Sequence, residues 1–185
     1  MLETSYLTIA ELDKGLETIQ KSPKDKGTLE LIVRRPEIDI REVLEIGELD
    51  INKGLVGDNW KIRGSSRTKD GSSHPDMQLN IMNTRAISLI AQEKKRWQLA
   101  GDQLFIDLDL SEENLPAGTK LALGSAIIEV TNQPHTGCAK FSKRFGVDAL
   151  KWVNSAIGKQ LHLRGINARV IQSGTIKIGD LAKKL

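Results

Sequence analysis

A succession of short apolar and β-branched runs, cut by glycine- and proline-bearing turns, constrains this 185-residue chain most. Thr28–Val33, Gln78–Met82, Gln103–Asp107, Lys120–Leu123, Ala126–Thr131 and Thr175–Ile178 are each too short for a stable helix, so they read as strands. Residues 40–51, with Val43, Leu44, Ile46, Leu49 and Ile51, make a further extended stretch. Gly124-Ser125 joins two of the runs as a hairpin, while Ser173-Gly174 and Gly179-Asp180 punctuate the last ones. Many short strands between turns predict a mostly β barrel or sandwich.

Helical spacing is confined to a few places. Ile9, Leu12, Leu16 and Ile19 mark one helix over residues 7–21, with Thr8 and Glu11 placed as a capping box and Ser22-Pro23 as a stop. A second, capped at Asn83 or Thr84, turns Ala86, Ile87, Ile90 and Trp97 inward. A third follows Cys138, and a short fourth spans 148–156. The expectation is a β-barrel with three or four peripheral α-helices. No repeat, low-complexity tract or Pro/Gly-rich linker divides the chain, so one domain over 1–185 is expected, with a helical extension over 1–27 and a barrel core over 28–180.

Composition excludes several classes. With 39% hydrophobic and 28% charged residues the chain resembles an ordinary soluble protein, and no apolar run approaches the roughly 20 residues needed to cross a bilayer. Residues 1–6 lack a signal region, so a cytoplasmic protein without membrane attachment is expected. Net charge +3 is mild and does not by itself call for nucleic acid. A lone cysteine forms no internal disulfide, and His74, His135 and His162 lack zinc-ligand spacing. The acidic stretch 107–114 lacks the EF-hand order and reads as a solvated loop. The GxGxxG, GxxxxGKS and GxSxG motifs are missing.

Chemistry concentrates around that cysteine. Gln133-Pro134-His135-Thr136-Gly137-Cys138 leaves the hairpin and enters a helix carrying Lys140, Lys143 and Arg144. A helix N-terminus and nearby cations favour a thiolate below its free pKa of roughly 8.5. Yet Cys138, Phe141 and Phe145 also fall at the i, i+3, i+7 spacing of an apolar face, so burial is the competing reading. The polar stretch 59–78 carries Arg63 and Arg67 among small residues, which suits either an anion or a solvated loop. Asn80 interrupts an apolar strand and needs partners, in the backbone or in a ligand. Asn167 and Arg169 share one face of a strand entered through Arg164, placed to grip a ligand or to remain surface groups.

Gly54–Asp58 (GLVGD), Asn80, the strand leading to Cys138, Arg164–Val170 (RGINARV) and Ser173–Asp180 (SGTIKIGD) together resemble the MOSC domain, the C-terminal domain of molybdenum-cofactor sulfurases. The resemblance runs from about Thr28 to Asp180. It implies a β-barrel with peripheral helices and one of two activities. The first is sulfur carriage, in which the cysteine takes a persulfide from a pyridoxal-phosphate-dependent cysteine desulfurase, pyridoxal phosphate belonging to that partner. The second is molybdenum-cofactor chemistry, in which the cysteine ligates the metal and N-hydroxylated compounds are reduced with a redox partner. Carried over by position, Cys138 is the expected persulfide bearer or metal ligand. By residue chemistry Arg63, Arg67, Lys140, Arg164 and Arg169 are candidate counter-charges for the cofactor phosphate, and Asn80, Thr136 and Asn167 candidate hydrogen-bond partners of the pterin edge. His135 departs from the expected pattern before the cysteine and is a candidate proton donor or orienting residue. A non-enzymatic barrel using its basic loop for a polyanion is the third reading, weakened by the scarcity of aromatic residues for stacking.

Overall fold

The computed structural model describes residues 5–185. The chain opens with α1 (Ile9–Asp13) and α2 (Leu16–Gln20), followed by β1 (Lys26–Arg34), β2 (Glu42–Leu44), β3 (Ile46–Asp50), β4 (Gly54–Leu55) and α3 (Trp60–Arg63). Next come β5 (Leu79–Asn83), α4 (Thr84–Ala91), β6 (Leu104–Asp107), β7 (Lys120–Leu123) and β8 (Ala126–Val130). Three helices, α5 (Ala139–Phe145), α6 (Val147–Val153) and α7 (Ala156–Gln160), precede β9 (Ile166–Gln172), β10 (Gly174–Lys177) and β11 (Leu181–Lys184).

The expected barrel is present. Its strands run β11, β7, β8, β9, β5, β6, β1, and β1 pairs back onto β11 through Lys26–Thr28, closing the ring. Closure leaves no open edge, which is how short strands of this kind avoid exposing unpaired backbone. All ring pairs are antiparallel except β5 with β6, which are parallel and joined across α4. Residues 40–51 split: β2 extends alongside β1, whereas β3 leaves to form a small sheet with β4 and β10.

Two apolar layers follow from strand alternation. Leu79, Ile81, Leu104, Ile106, Ile128, Ile166, Ala168 and Val170 fill the barrel interior. Met82, Phe105, Leu31 and Val33 point outward and pack under the helices, against Leu12, Ile87, Phe141, Phe145 and Trp152. A register shift between Leu29 and Leu31 in the β1–β6 ladder sends Leu29 and Ile32 inward while Leu31 and Val33 face out.

The helices are more numerous and shorter than the sequence periodicity suggests. The Thr8–Glu11 capping box forms, the Glu11 amide donating to Thr8 Oγ1 at 3.3 Å and the Thr8 amide to Glu11 Oε2 at 2.8 Å. The helix it starts breaks at Lys14-Gly15, a weak helical position, so that Leu12 and Ile19 both reach the body from separate segments. The stretch after Cys138 is likewise three helices rather than two, because Gly146 and Ser155 each restart the chain in a new direction.

Candidate functional site

A hollow of about 360 Å³ lies against the outer barrel wall, bounded by the segment after β1, helix α3, the loop 134–138 and α5. Alternation explains its floor. Leu79 and Ile81 point into the barrel, so Asn80 between them points out, and Asn167 does the same between Ile166 and Ala168. The two amides bond to each other, Asn80 Nδ2 donating to Asn167 Oδ1 at 2.7 Å. Asn80 thus both stitches strands together and lines the hollow.

Arg35, at the end of β1, supports this floor, and nothing in the local sequence distinguishes it from a strand-closing residue. Its Nε and Nη2 fork onto Asp58 at 2.9 and 2.8 Å, and Nη1 donates to Asn80 Oδ1 at 3.1 Å and to the Gly101 carbonyl at 2.8 Å. Asp58 ends the GLVGD stretch and also accepts from the Arg35 and Trp60 amides, which orients α3.

A second buried carboxylate holds the far wall. Asp102, fully enclosed, accepts from Arg164 Nη1 at 2.6 Å and lies 2.7 Å from His135 Nε2. Burial on its own pushes the Asp102 carboxyl up, but the Arg164 charge and then His135 outweigh it and hold the group at about 2. His135 is pushed below the usual imidazole range, first by burial and then by Arg164, against the pull of Asp102. A carboxylate accepts only, so Nε2 carries the hydrogen and neutral His135 keeps Nδ1 as a lone pair. Gly165 makes this arrangement possible: its φ is +115°, and a Cβ there would run into the Ile81 carbonyl oxygen and lie 3.1 Å from the His135 ring.

Cys138 is the N-cap residue of α5, exposed, with its side chain making no capping bond. Of the two readings open for it, the structure selects the accessible thiol; Phe141 and Phe145 are buried without it. The loop before it is fastened at four of its residues. Asn167 Nδ2 donates to the Gln133 carbonyl at 3.0 Å, Arg67 Nη1 approaches the Pro134 carbonyl at 3.4 Å, His135 meets Asp102, and the Asn154 amide holds Gly137.

Cations crowd this space. Arg35, Arg63, Arg67 and Arg164 line it together with Arg41, Lys140 and Arg144. Against them stand Glu37 and Asp39 on the wall and Asp58 and Asp102 behind it. Asp39 is shared by Arg144 at 2.9 Å and Lys140 at 3.7 Å, while no carboxylate pairs with Arg41, Arg63 or Arg67 among the described residues. Burial, then Arg144 and Arg35, lower the Arg41 pKa; burial, then Arg35, lower that of Arg63. These guanidiniums remain charged at any relevant pH, so the hollow is a concave positive field short of counter-charge.

Of the residues singled out from sequence, Cys138, His135, Arg63, Arg67, Asn80, Thr136, Lys140 and Arg164 line this one hollow. Arg164 is 7% exposed and committed to Asp102 and the Ala100 carbonyl, so it positions the wall. Asn167 lies behind the wall, fully buried. Arg169 stands outside the hollow, half-exposed and paired with Glu129 at 2.7 Å and Asp76 at 3.2 Å. The hollow and its supports also include Arg35, Arg41, Asn59, Asp102 and Asn154, which no motif marks, while Asp58 is legible only as the end of GLVGD and Arg144 only as a cation of the helix after Cys138. The only local signal for Asp102 was its place in a Gly-Asp turn. Among the described residues no three His, Cys, Asp or Glu side chains converge as a metal cluster, and no helix is long and apolar enough to cross a membrane.

A closed barrel of short strands with a lone thiol on a basic outer hollow defines a MOSC-type protein. The MOSC domain family matches residues 68–182, and the chain belongs to that family. Among solved structures it is similar to the YuaD protein of Bacillus subtilis, at 13% identity and a TM-score of 0.65 over 85% of this chain and 94% of that one. It is also similar to YiiM of Escherichia coli, at 21% identity and a TM-score of 0.55 over 85% of this chain and 69% of that one. YiiM of Geobacillus stearothermophilus aligns at 17% identity and a TM-score of 0.52, over 86% and 75% of the two chains. At these identities the likeness is one of fold. No curated protein sequence matches the chain.

Proposed function

We propose that the hollow binds the phosphate-bearing pterin cofactor of molybdenum, with Cys138 Sγ as the protein ligand to the metal. One observation carries this: an exposed, free thiol shares a concave wall with Arg41, Arg63 and Arg67, which have no carboxylate partner among the described residues. A thiolate suits a soft or high-valent metal, and arginine forks suit a phosphate. The residues present fit such a group. Arg41 Nε, Asn59 Oδ1 and Arg164 Nε are buried without a partner, and all three residues line the hollow, whose walls therefore hold both donors and an acceptor in excess of their internal bonds.

In this assignment Arg63, Arg67, Arg41 and Lys140 hold the phosphate, while Asn80, Asn59 and Thr136 address the pterin edge. The bound cofactor would supply a redox-active metal, as in family members that reduce N-hydroxylated compounds. Neutral His135 keeps an unprotonated Nδ1 beside the thiol loop, and Asp102 fixes that tautomer. Protein produced in a cofactor-replete cell is expected to carry about one molybdenum per chain, and Cys138→Ser to lose it; full metal occupancy in Cys138→Ser rejects the ligand role.

The exposure of Cys138 favours a second reading, sulfur carriage, since a free, exposed thiol is open to another protein's persulfide. Here the purified protein lacks molybdenum, and incubation with a cysteine desulfurase and free cysteine adds the mass of one sulfur to Cys138.

A further inference from the structure

Asn154 lies at the C-cap of α6, in a stretch where the sequence shows only a helix end. Its side-chain amide makes both backbone bonds available at Gly137: Oδ1 accepts from the Gly137 N–H at 2.9 Å, and Nδ2 donates to the Gly137 carbonyl at 3.1 Å. The amide therefore pairs with both backbone groups of this residue as a neighbouring strand would. A Cβ at 137 would lie 2.7 Å from Leu150 Cδ1 and 3.0 Å from Val153 Cγ2, so the loop packs closely on side chains of α6. The residue immediately before the thiol thus packs against α6 and is held by a two-point clamp.

We infer that Asn154 is the positioning residue of Cys138: by fixing the Gly137 peptide against α6 it directs the thiol into the cationic hollow rather than into open solvent. The other fastenings act further up the loop, at Gln133, Pro134 and His135. After Gly137 the chain has only the N-cap residue before α5 begins. The Asn154 clamp is the last side-chain restraint before the thiol, and on the helix side the Ser142 amide holds the Cys138 carbonyl at 3.0 Å. Nothing else is asked of Asn154, which does not line the hollow. This assignment stands whether the hollow takes a pterin or the thiol carries sulfur.

The test uses two aryl disulfides on the full chain made without added molybdate. Dianionic dithiobis(nitrobenzoate) and neutral dithiodipyridine both form a mixed disulfide with the Cys138 thiolate and release one aryl thiolate, and dividing each rate by that of a free thiol removes their difference in leaving group and leaves that in charge. A thiol inside the positive hollow reacts with the anionic reagent faster than the neutral one by at least about tenfold at low salt, relative to the ratio for a free thiol, and salt erases the excess. In Asn154→Ala the excess is expected to fall to within about twofold, while circular dichroism and the melting transition show a folded protein. Asn154→Ser reaches the same end with a neutral polar residue kept at the helix end, since one hydroxyl does not replace both amide bonds to Gly137. A merely structural role for Asn154 lowers the melting temperature and leaves the reagent ratio unchanged. The assignment is overturned if the wild type shows no anionic excess, or if folded Asn154→Ala or Asn154→Ser keeps it. Neither result bears on metal content, so the outcome is separable from that of the cofactor experiment.

Discussion

Asn80 and Asn167, 87 positions apart in the chain, face each other across the β5–β9 ladder and are joined by a 2.7 Å side-chain hydrogen bond. The pair links the two halves of the site: Asn80 also accepts from Arg35, and Asn167 also donates to the carbonyl of Gln133 at the root of the cysteine loop. Asn167→Ala leaves the Asn80 amide and the Gln133 carbonyl short of a partner. A loss of about 1–3 kcal/mol in urea unfolding is expected, together with faster hydrogen exchange across the cysteine loop.

Acid should weaken the protein in two stages. His135 has a folded pKa below its unfolded value, so the unfolded chain takes up the proton first, and stability falls as pH drops through the ordinary imidazole range near 6.5. Asp102 is held at about 2 against an ordinary value near 3.9, so its stabilisation is intact above about pH 4 and disappears as pH falls toward 2. Melting temperatures of wild type and His135→Gln at pH 7, 5.5 and 4 check this. The variant keeps a donor for Asp102 and should lose only the decline between about pH 6.5 and 5.

Removing Asp102 is a harsher change. Asp102→Asn leaves the buried Arg164 guanidinium without its carboxylate, and such half-broken pairs cost about 3–5 kcal/mol. The same substitution frees His135 to adopt either tautomer. Chemical denaturation measures the first effect, and imidazole nitrogen shifts in NMR report the second.

The uncompensated arginines should behave in the opposite way. Arg41→Ala and Arg63→Ala each remove a charge opposed by Arg35 and unpaired with any carboxylate among the described residues, so stability is expected to change by less than about 0.5 kcal/mol. Pyrophosphate should raise the melting temperature of the wild type in a salt-sensitive manner, and each variant should need several-fold more of it for the same shift. Arg35→Ala is the contrast, since it strands Asp58 and should destabilise strongly.

Arg169 offers a control on the position of the site. Its pairs with Glu129 and Asp76 are half-exposed, and exposed pairs are worth about 0–1 kcal/mol. Arg169→Ala is expected to leave both stability and pyrophosphate response close to those of the wild type in the same melting assay.

What the sequence by itself determined is local or periodic. Alternating runs such as Ala126–Val130 and Ile166–Gln172 specify strands because side chains on a strand repeat every two residues, whatever their partners. The Thr8–Glu11 cap depends on residues three apart, and the turn before Cys138 is written in Pro134 and Gly137. Only the tertiary structure decided which charges meet. Asp102 finds Arg164 62 positions away, Arg35 reaches the Gly101 carbonyl 66 positions on, and Arg144 meets Asp39 from 105 positions off. Arg164 and Arg169 are alike as letters in RGINARV, yet one is sealed behind the thiol loop and the other is paired at the surface. The difference arises because closure of the barrel sets which outward faces are covered, and a buried charge must then find its partner from wherever the fold brings one.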